Sequence, residues 1–172
     1  MALDWHGYEL HPQTPEGGID LAAKFGGKQR VAAMQARLLQ FAADFGITDM
    51  KMRDRSPNTR RALAIAEYAR DQGRLEPWRQ LAMDAHWRRG LHLEKDADLR
   101  ALAAEAGLDP DAAIAASRDP AWLARIDEKR AEAEDLGVTG IPTFVIGNQG
   151  VVGCQPYPVL ARFVEEAGAR KR

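Results

Sequence analysis

At 172 residues, 45% hydrophobic and 28% charged, the chain is long enough to bury a core of its own as one globular domain. Twenty-four basic residues stand against 25 acidic ones for a net charge of −1, so no global field draws it to nucleic acid or to a membrane surface. One cysteine, Cys154, rules out an intramolecular disulfide framework. No apolar run approaches the ~20 residues that span a bilayer, and the opening MALDWHGYEL is neither basic nor apolar enough for a leader, which predicts a cytoplasmic protein.

Leu3 and Trp5 with Tyr8 and Leu10 predict a short first strand, closed before His11-Pro12 because proline cannot donate to a ladder. From Ile19 to Leu136 the composition is that of helices, and capping signals divide it into six. The first runs from about Lys28 to Phe45, with Val31, Met34, Leu38, Phe41 and Phe45 as its apolar stripe and Gly46 as its stop. The second opens at Ser56-Pro57, read as an N-cap and a first-turn proline, and closes at Gly73. The third spans Glu76 to Arg89 and stops at Gly90. Ala97 to Ala106, Pro110 to Ser117 capped by Asp109, and Asp119-Pro120 to Gly137 complete the block.

Beyond Gly137 the pattern changes. Thr143 to Ile146 and Val151 to Cys154 are β-branched runs joined by Gly147-Asn148-Gln149-Gly150, which predicts a hairpin. An amphipathic helix, Val159 to Ala167, turns Leu160, Phe163 and Val164 inward, and Arg170-Lys171-Arg172 form a solvated basic tail.

Several residues that invite a functional reading have a plainer one. Cys154 has the character of a small buried hydrophobe, since free cysteine is commonly buried and inert; a reactive thiol is the alternative. His86 and His92 are interrupted by Gly90, and His6 and His11 have no carboxylates at ligand spacing, so no metal site is predicted. In the Gly26-Gly27-Lys28 stretch Ala22 and Gln29 replace residues that a phosphate loop requires. Trp78, Trp87 and Trp122 suit core or groove packing, and the charged run around Glu128, Lys129 and Glu132 suits a solvated helix face. Arg60 and Arg61 beside Asn58 are read as structural, with an anionic ligand as the alternative.

The segments WHGYELHPQTPEGGIDL, SPNTRRALAIAEYARDQG, LAAEAGLD and EAEDLGVTGIPTFVIGNQGVVGCQP follow one another in an order that resembles the DsbA family of the thioredoxin superfamily. Within it the chain is similar to the FrnE-like branch, near the 2-hydroxychromene-2-carboxylate isomerases and kappa-class glutathione transferases. The resemblance implies an α/β fold: an incomplete thioredoxin-like fold with a large all-helical insertion between the first visible strand and the C-terminal hairpin and helix. Residues 1–172 then form a single domain, with 1–18 and 138–169 as its thioredoxin-like part and 19–137 as the insertion. The Ile141-Pro142 bond is implied to be cis, with Ile141 facing a groove between sheet and helices, and Gly140, Ile141 and Pro142 presenting backbone to an extended peptide or a small thiol.

The chain departs from the family at its chemical centre. The family opens with a strand and a helix carrying Cys-x-x-Cys, whose N-terminus lowers the pKa of the first cysteine. This sequence resembles the family from the strand after that unit, and no residue inherits the catalytic role. Where the isomerase and transferase relatives hold glutathione with an Asp-Arg pair, this chain has Gly153-Cys154-Gln155-Pro156, and where they have histidine after Asn58-Thr59 it has Leu63. No cofactor is therefore expected, with glutathione as the alternative. Two function classes follow: a thiol-disulfide oxidoreductase by family, inactive in dithiol exchange in this form, or a redox-inactive binding or chaperone-like module that uses the proline groove. The missing strand is central in the family's sheet, so the edges beside it are expected at the contact of a homodimer, with direct pairing of the two edges within one chain as the alternative.

Overall fold

The structure, a computed structural model, describes residues 3–168, so the predicted basic tail at 170–172 lies outside the described residues. The chain divides into a helical unit, His11–Arg125, and a hairpin unit made by residues 3–10 together with residues from 126 onward.

The helical unit opens with a two-residue strand, β1 (Ile19–Asp20), antiparallel to β2 (Arg55–Ser56), an element that the helical composition of this region hides. Gly18 makes the approach possible. Its φ of +74° lies in the left-handed region, and a Cβ there would stand 2.3 Å from the Ser56 carbonyl oxygen. Asp20 caps α1 (Leu21–Phe25), and α2 (Lys28–Ala43) follows. The predicted stripe on α2 is buried only at Val31; Met34, Leu38, Phe41 and Phe45 remain exposed.

Helix α3 (Arg60–Asp71) begins later than Ser56-Pro57 predicts. A residue before proline is pushed toward extended backbone, and Ser56 takes that option by pairing with Ile19. Thr59 is the N-cap, without a side-chain bond of its own, and Asn58 just before it supplies the acceptor, its Oδ1 taking the Arg60 N–H at 2.9 Å. Helix α4 (Leu75–Asp84) runs into a π-helical turn, Ala85–Arg89, that ends at Gly90. Helices α5 (Asp96–Glu105), α6 (Pro110–Ala116) and α7 (Pro120–Asp135) follow, with Asp109 capping α6 as predicted.

The core of the helical unit closes around Trp78, with Ile65, Leu99, Leu102 and Ile114 and a set of alanines. Trp78 Nε1 donates to the Ala62 carbonyl at 3.1 Å, so even its polar atom is satisfied. Arg61 is the main polar clamp: it donates to the Glu94 carbonyl at 2.7 Å and to Ser117 Oγ at 3.0 Å, and pairs with Asp96 at 2.7 Å. Arg60 donates to the Leu123 carbonyl at 3.4 Å. Both arginines thus take the structural role.

In the hairpin unit, β3 (Thr143–Ile146) and β4 (Gln149–Val152) pair antiparallel, and α8 (Tyr157–Glu166) buries Phe163. Ile146 pairs with Gln149, so the connection is the two residues Gly147-Asn148 rather than four. Gly147 has a φ of +62°, the position at which a II′ turn places glycine. The predicted first strand over Leu3–Leu10 does not form. Its apolar alternation slips phase between Trp5 and Tyr8, and among the described residues no strand pairs with it; Tyr8 Oη donates to the Val138 carbonyl at 3.4 Å. No helix among the described residues is long and apolar enough to cross a membrane.

Candidate functional site: the proline turn and the open edge of the hairpin

The ladder between β3 and β4 fixes which backbone groups are spent and which are free. Gly153 donates to the Pro142 carbonyl at 2.7 Å, and Ile146 closes the hairpin against Gln149. In an antiparallel pair the bonded positions alternate, so Pro142, Phe144 and Ile146 face β4 while Ile141, Thr143 and Val145 face the other way. Proline at 142 ends the ladder, because its nitrogen has no hydrogen to give Gly153. The Ile141–Pro142 bond is cis.

Outward of the ladder the edge is open. Among the described residues the sheet has two strands only, and no partner meets the N–H or C=O of Ile141. The Ile141 side chain is 54% exposed. The turn before the strand is nevertheless held in shape: Thr143 Oγ1 donates to the Gly140 carbonyl at 2.6 Å, and a Cβ on Gly140 would touch Val152 at 3.4 Å. Thr143, Val145 and Val152 share one face of the hairpin, and with Leu136, Val138 and Gln149 they line a hollow of about 160 Å³. That volume is well under the ~300–1,000 Å³ of a drug-sized ligand pocket, and it suits one side chain of an extended segment.

Gly140, Ile141 and Pro142 therefore stand together at the start of β3, and the Gly153–Pro142 bond brings the turn carrying Cys154 to the same corner. Cys154 itself is exposed, not a buried hydrophobe. The shorter hairpin loop moves β4 two residues toward the N-terminus, so Cys154 falls beyond the strand in a turn where Gly153 has a φ of +90°. The outward set of Thr143 with Val145 is not separated in the sequence reading from its neighbours Phe144 and Ile146. The signal for it is the period-two pattern itself, which assigns every second residue of a strand to the same edge and face.

The other candidates lie elsewhere. Trp122 stacks edge-to-face on Tyr68 at 5.8 Å with the Arg125 guanidinium 4.3 Å above its ring. Lys129 pairs with Glu132 at 2.8 Å on an exposed helix face. Among the described residues no group of three or more His, Cys, Asp or Glu side chains is placed to hold a metal ion.

Comparison with known proteins gives this geometry a context. A family model described as a DsbA-like thioredoxin domain matches residues 1–165. Among solved structures, a probable DsbA oxidoreductase from Streptomyces coelicolor is 30% identical, with a TM-score of 0.83 over 96% of this chain and 75% of that one. A 2-hydroxychromene-2-carboxylate isomerase is 18% identical, with a TM-score of 0.72 over 95% of this chain and 78% of that one, a likeness of fold. No curated protein matches the sequence.

Proposed function

Because the chain belongs to the family of DsbA-like thioredoxin domains, we propose that it binds an extended peptide along the open edge of β3, with the Ile141 backbone as the first contact. The observation that carries this reading is the exposed Ile141, whose N–H and C=O have no partner among the described residues, in series with the outward Thr143 and Val145. Such a row of unsatisfied donors and acceptors is a template for strand addition, and the adjoining hollow receives an alternate side chain of the incoming segment. Binding is not followed by dithiol turnover within these 172 residues. Their single thiol, the exposed Cys154, can enter one mixed disulfide by displacing a thiolate from a substrate disulfide, but has no second thiol to resolve it.

Titration with an unstructured, β-branched peptide, read by calorimetry and by amide hydrogen exchange, tests the reading. The expected result is protection of the Val145 amide on binding. Val145→Pro removes that donor without touching the β4 side of the ladder and is expected to weaken binding by about tenfold or more, while Cys154→Ser leaves it unchanged. Peptide binding with the Val145 amide still exchanging freely rejects the edge as the site. Turnover of a dithiol substrate that survives Cys154→Ser rejects the inactive assignment.

A further inference from the structure

The helical unit contains an apolar trough of about 370 Å³ that includes none of the residues of the proline turn. Helix α2 supplies Val31, Met34 and Leu38, α1 supplies Phe25, and the π-helical turn supplies Trp87. The exposure of Met34 and Leu38, at 42% and 39%, is the exposure of this wall. Of the polar side chains that line the same space, Gln35, Arg55 and Ser56 among them, two stand out. Arg53 donates through Nε to the His86 carbonyl at 3.3 Å and through one terminal nitrogen to the Leu91 carbonyl. Neither acceptor is charged, and among the described residues Arg53 has no carboxylate partner. The second is His86, whose Nδ1 is buried and has no hydrogen-bond partner among the described residues. Its ring stands edge-on to Trp87 with centroids 4.6 Å apart.

Both features are costly in a protein that must satisfy itself. A half-buried cation is ordinarily paired, and a buried imidazole nitrogen ordinarily finds a partner. Here the two unmet needs line the same apolar hollow, and one kind of ligand meets both. We propose that the trough binds a small apolar carboxylate, an aryl or short alkyl acid, with its body against Phe25, Met34 and Leu38 and its carboxylate received by Arg53 and His86.

The charge balance selects the head group. Burial, followed by the nearby Arg53 charge, pushes the His86 pKa down to about 4, so at neutral pH the imidazole is uncharged and the cations that line the trough are Arg53 and the more exposed Arg55, whose guanidinium donates to the Gly17 and Gly18 carbonyls. An anionic head group on an apolar body answers such a lining. The volume, near the lower end of the ~300–1,000 Å³ range, limits the body to one or two rings or a short chain. The π-helical turn is the device that brings His86 and Trp87 to the trough, and single π turns in helices are frequent at functional sites.

Naphthoate and its neutral isostere naphthamide are the probes, followed by calorimetry and by amide chemical shifts on the whole chain. Naphthoate is expected to bind with a sub-millimolar Kd, shifting amides of α2 and of 85–89, with naphthamide weaker by about tenfold or more. Met34→Trp, at an exposed position, fills the trough without altering its charge and is expected to weaken naphthoate by about tenfold or more. Arg53→Met is expected to reduce the preference for acid over amide by about tenfold, the more exposed Arg55 remaining. Because Arg53 also holds two backbone carbonyls, the Met34→Trp result stands even if that variant unfolds. No saturable binding, equal binding of the amide, or naphthoate binding untouched by Met34→Trp overturns the proposal. A dimer that Met34→Trp dissociates makes a second copy the occupant and overturns it too. Peptide binding at Val145 is scored separately, so either site can fail alone.

Discussion

In the helical unit Arg61 meets a carbonyl, a hydroxyl and a carboxylate, and Trp78 is wrapped by leucines, isoleucines and alanines to 1% exposure. Among the described residues of the hairpin unit the buried apolar side chains are Ile126 and Phe163, the sheet has two strands, and Ile141 stands in solvent. A two-stranded hairpin is marginal by itself, while a closed helical core is not. The difference teaches where each kind of free energy lies: packing that stabilises the chain is concentrated in one unit, and unspent backbone hydrogen-bonding capacity in the other.

The sharpest way to break this comparison is to remove the centre of the helical core. Trp78→Ala deletes a fully buried ring and leaves the Ala62 carbonyl without its donor. Large aromatic truncations of this kind cost ~3–5 kcal/mol, and urea unfolding followed by helicity should show that loss. A loss of ~1 kcal/mol or less would mean that the core relaxes around the cavity and is not the main source of stability.

Gly18→Ala should act next, and in the same unit. The substitution forces a Cβ against the Ser56 carbonyl at 2.3 Å on a backbone with φ +74°. Strain of that kind costs ~1–3 kcal/mol, and the expected reading is a fall in Tm with faster exchange of the Leu21 amide, which donates to Asp54 at 2.8 Å beside the β1–β2 pair. An unchanged Tm would show that the pair contributes nothing to the unit's stability.

The same two units explain what could be seen in the sequence. Long amphipathic segments with clear stops, such as Asp109-Pro110 opening α6 and Gly90 closing the π turn, were legible because capping is local chemistry. The β1–β2 pair was not, since two residues carry no period and the contact is between segments some 35 positions apart. Ser56-Pro57 misled for the same reason: its cap reading is correct locally and is overruled by Ile19. For the site, Gly140, Ile141 and Pro142 were legible as a motif, but Cys154 was misplaced by a two-residue error in loop length, because a strand's faces and ends depend on its register.

A smaller effect sharpens the account of the trough. His86 has an ordinary pKa near 6.5 when unfolded and about 4 when folded, so between these values the unfolded chain binds the extra proton. The stability that neutral His86 contributes is present in full above pH 6.5 and is lost as pH falls toward 4. The advantage of the wild type over His86→Gln should therefore shrink by about 1–2 kcal/mol across that window, less than the full shift implies because water still reaches part of the ring. A constant difference would place His86 in solvent rather than in an apolar trough.

The weakest effect expected is self-association of the hairpin unit. The open edge of β3 that we assign to peptide is equally a template for the same edge of a second copy, and a twofold arrangement would satisfy both with one patch. Exposed Val145 and Val152 add apolar area to that contact, but the edge is only four residues long, so the dimer should form weakly, at concentrations of about 10 μM and above. Peptide and partner would then compete for the same N–H and C=O groups. Light scattering should show a dimer that a saturating β-branched peptide returns to monomer, and Val145→Pro should abolish both associations together. A dimer indifferent to peptide would have to be built on another surface, and the open edge would then serve peptide alone.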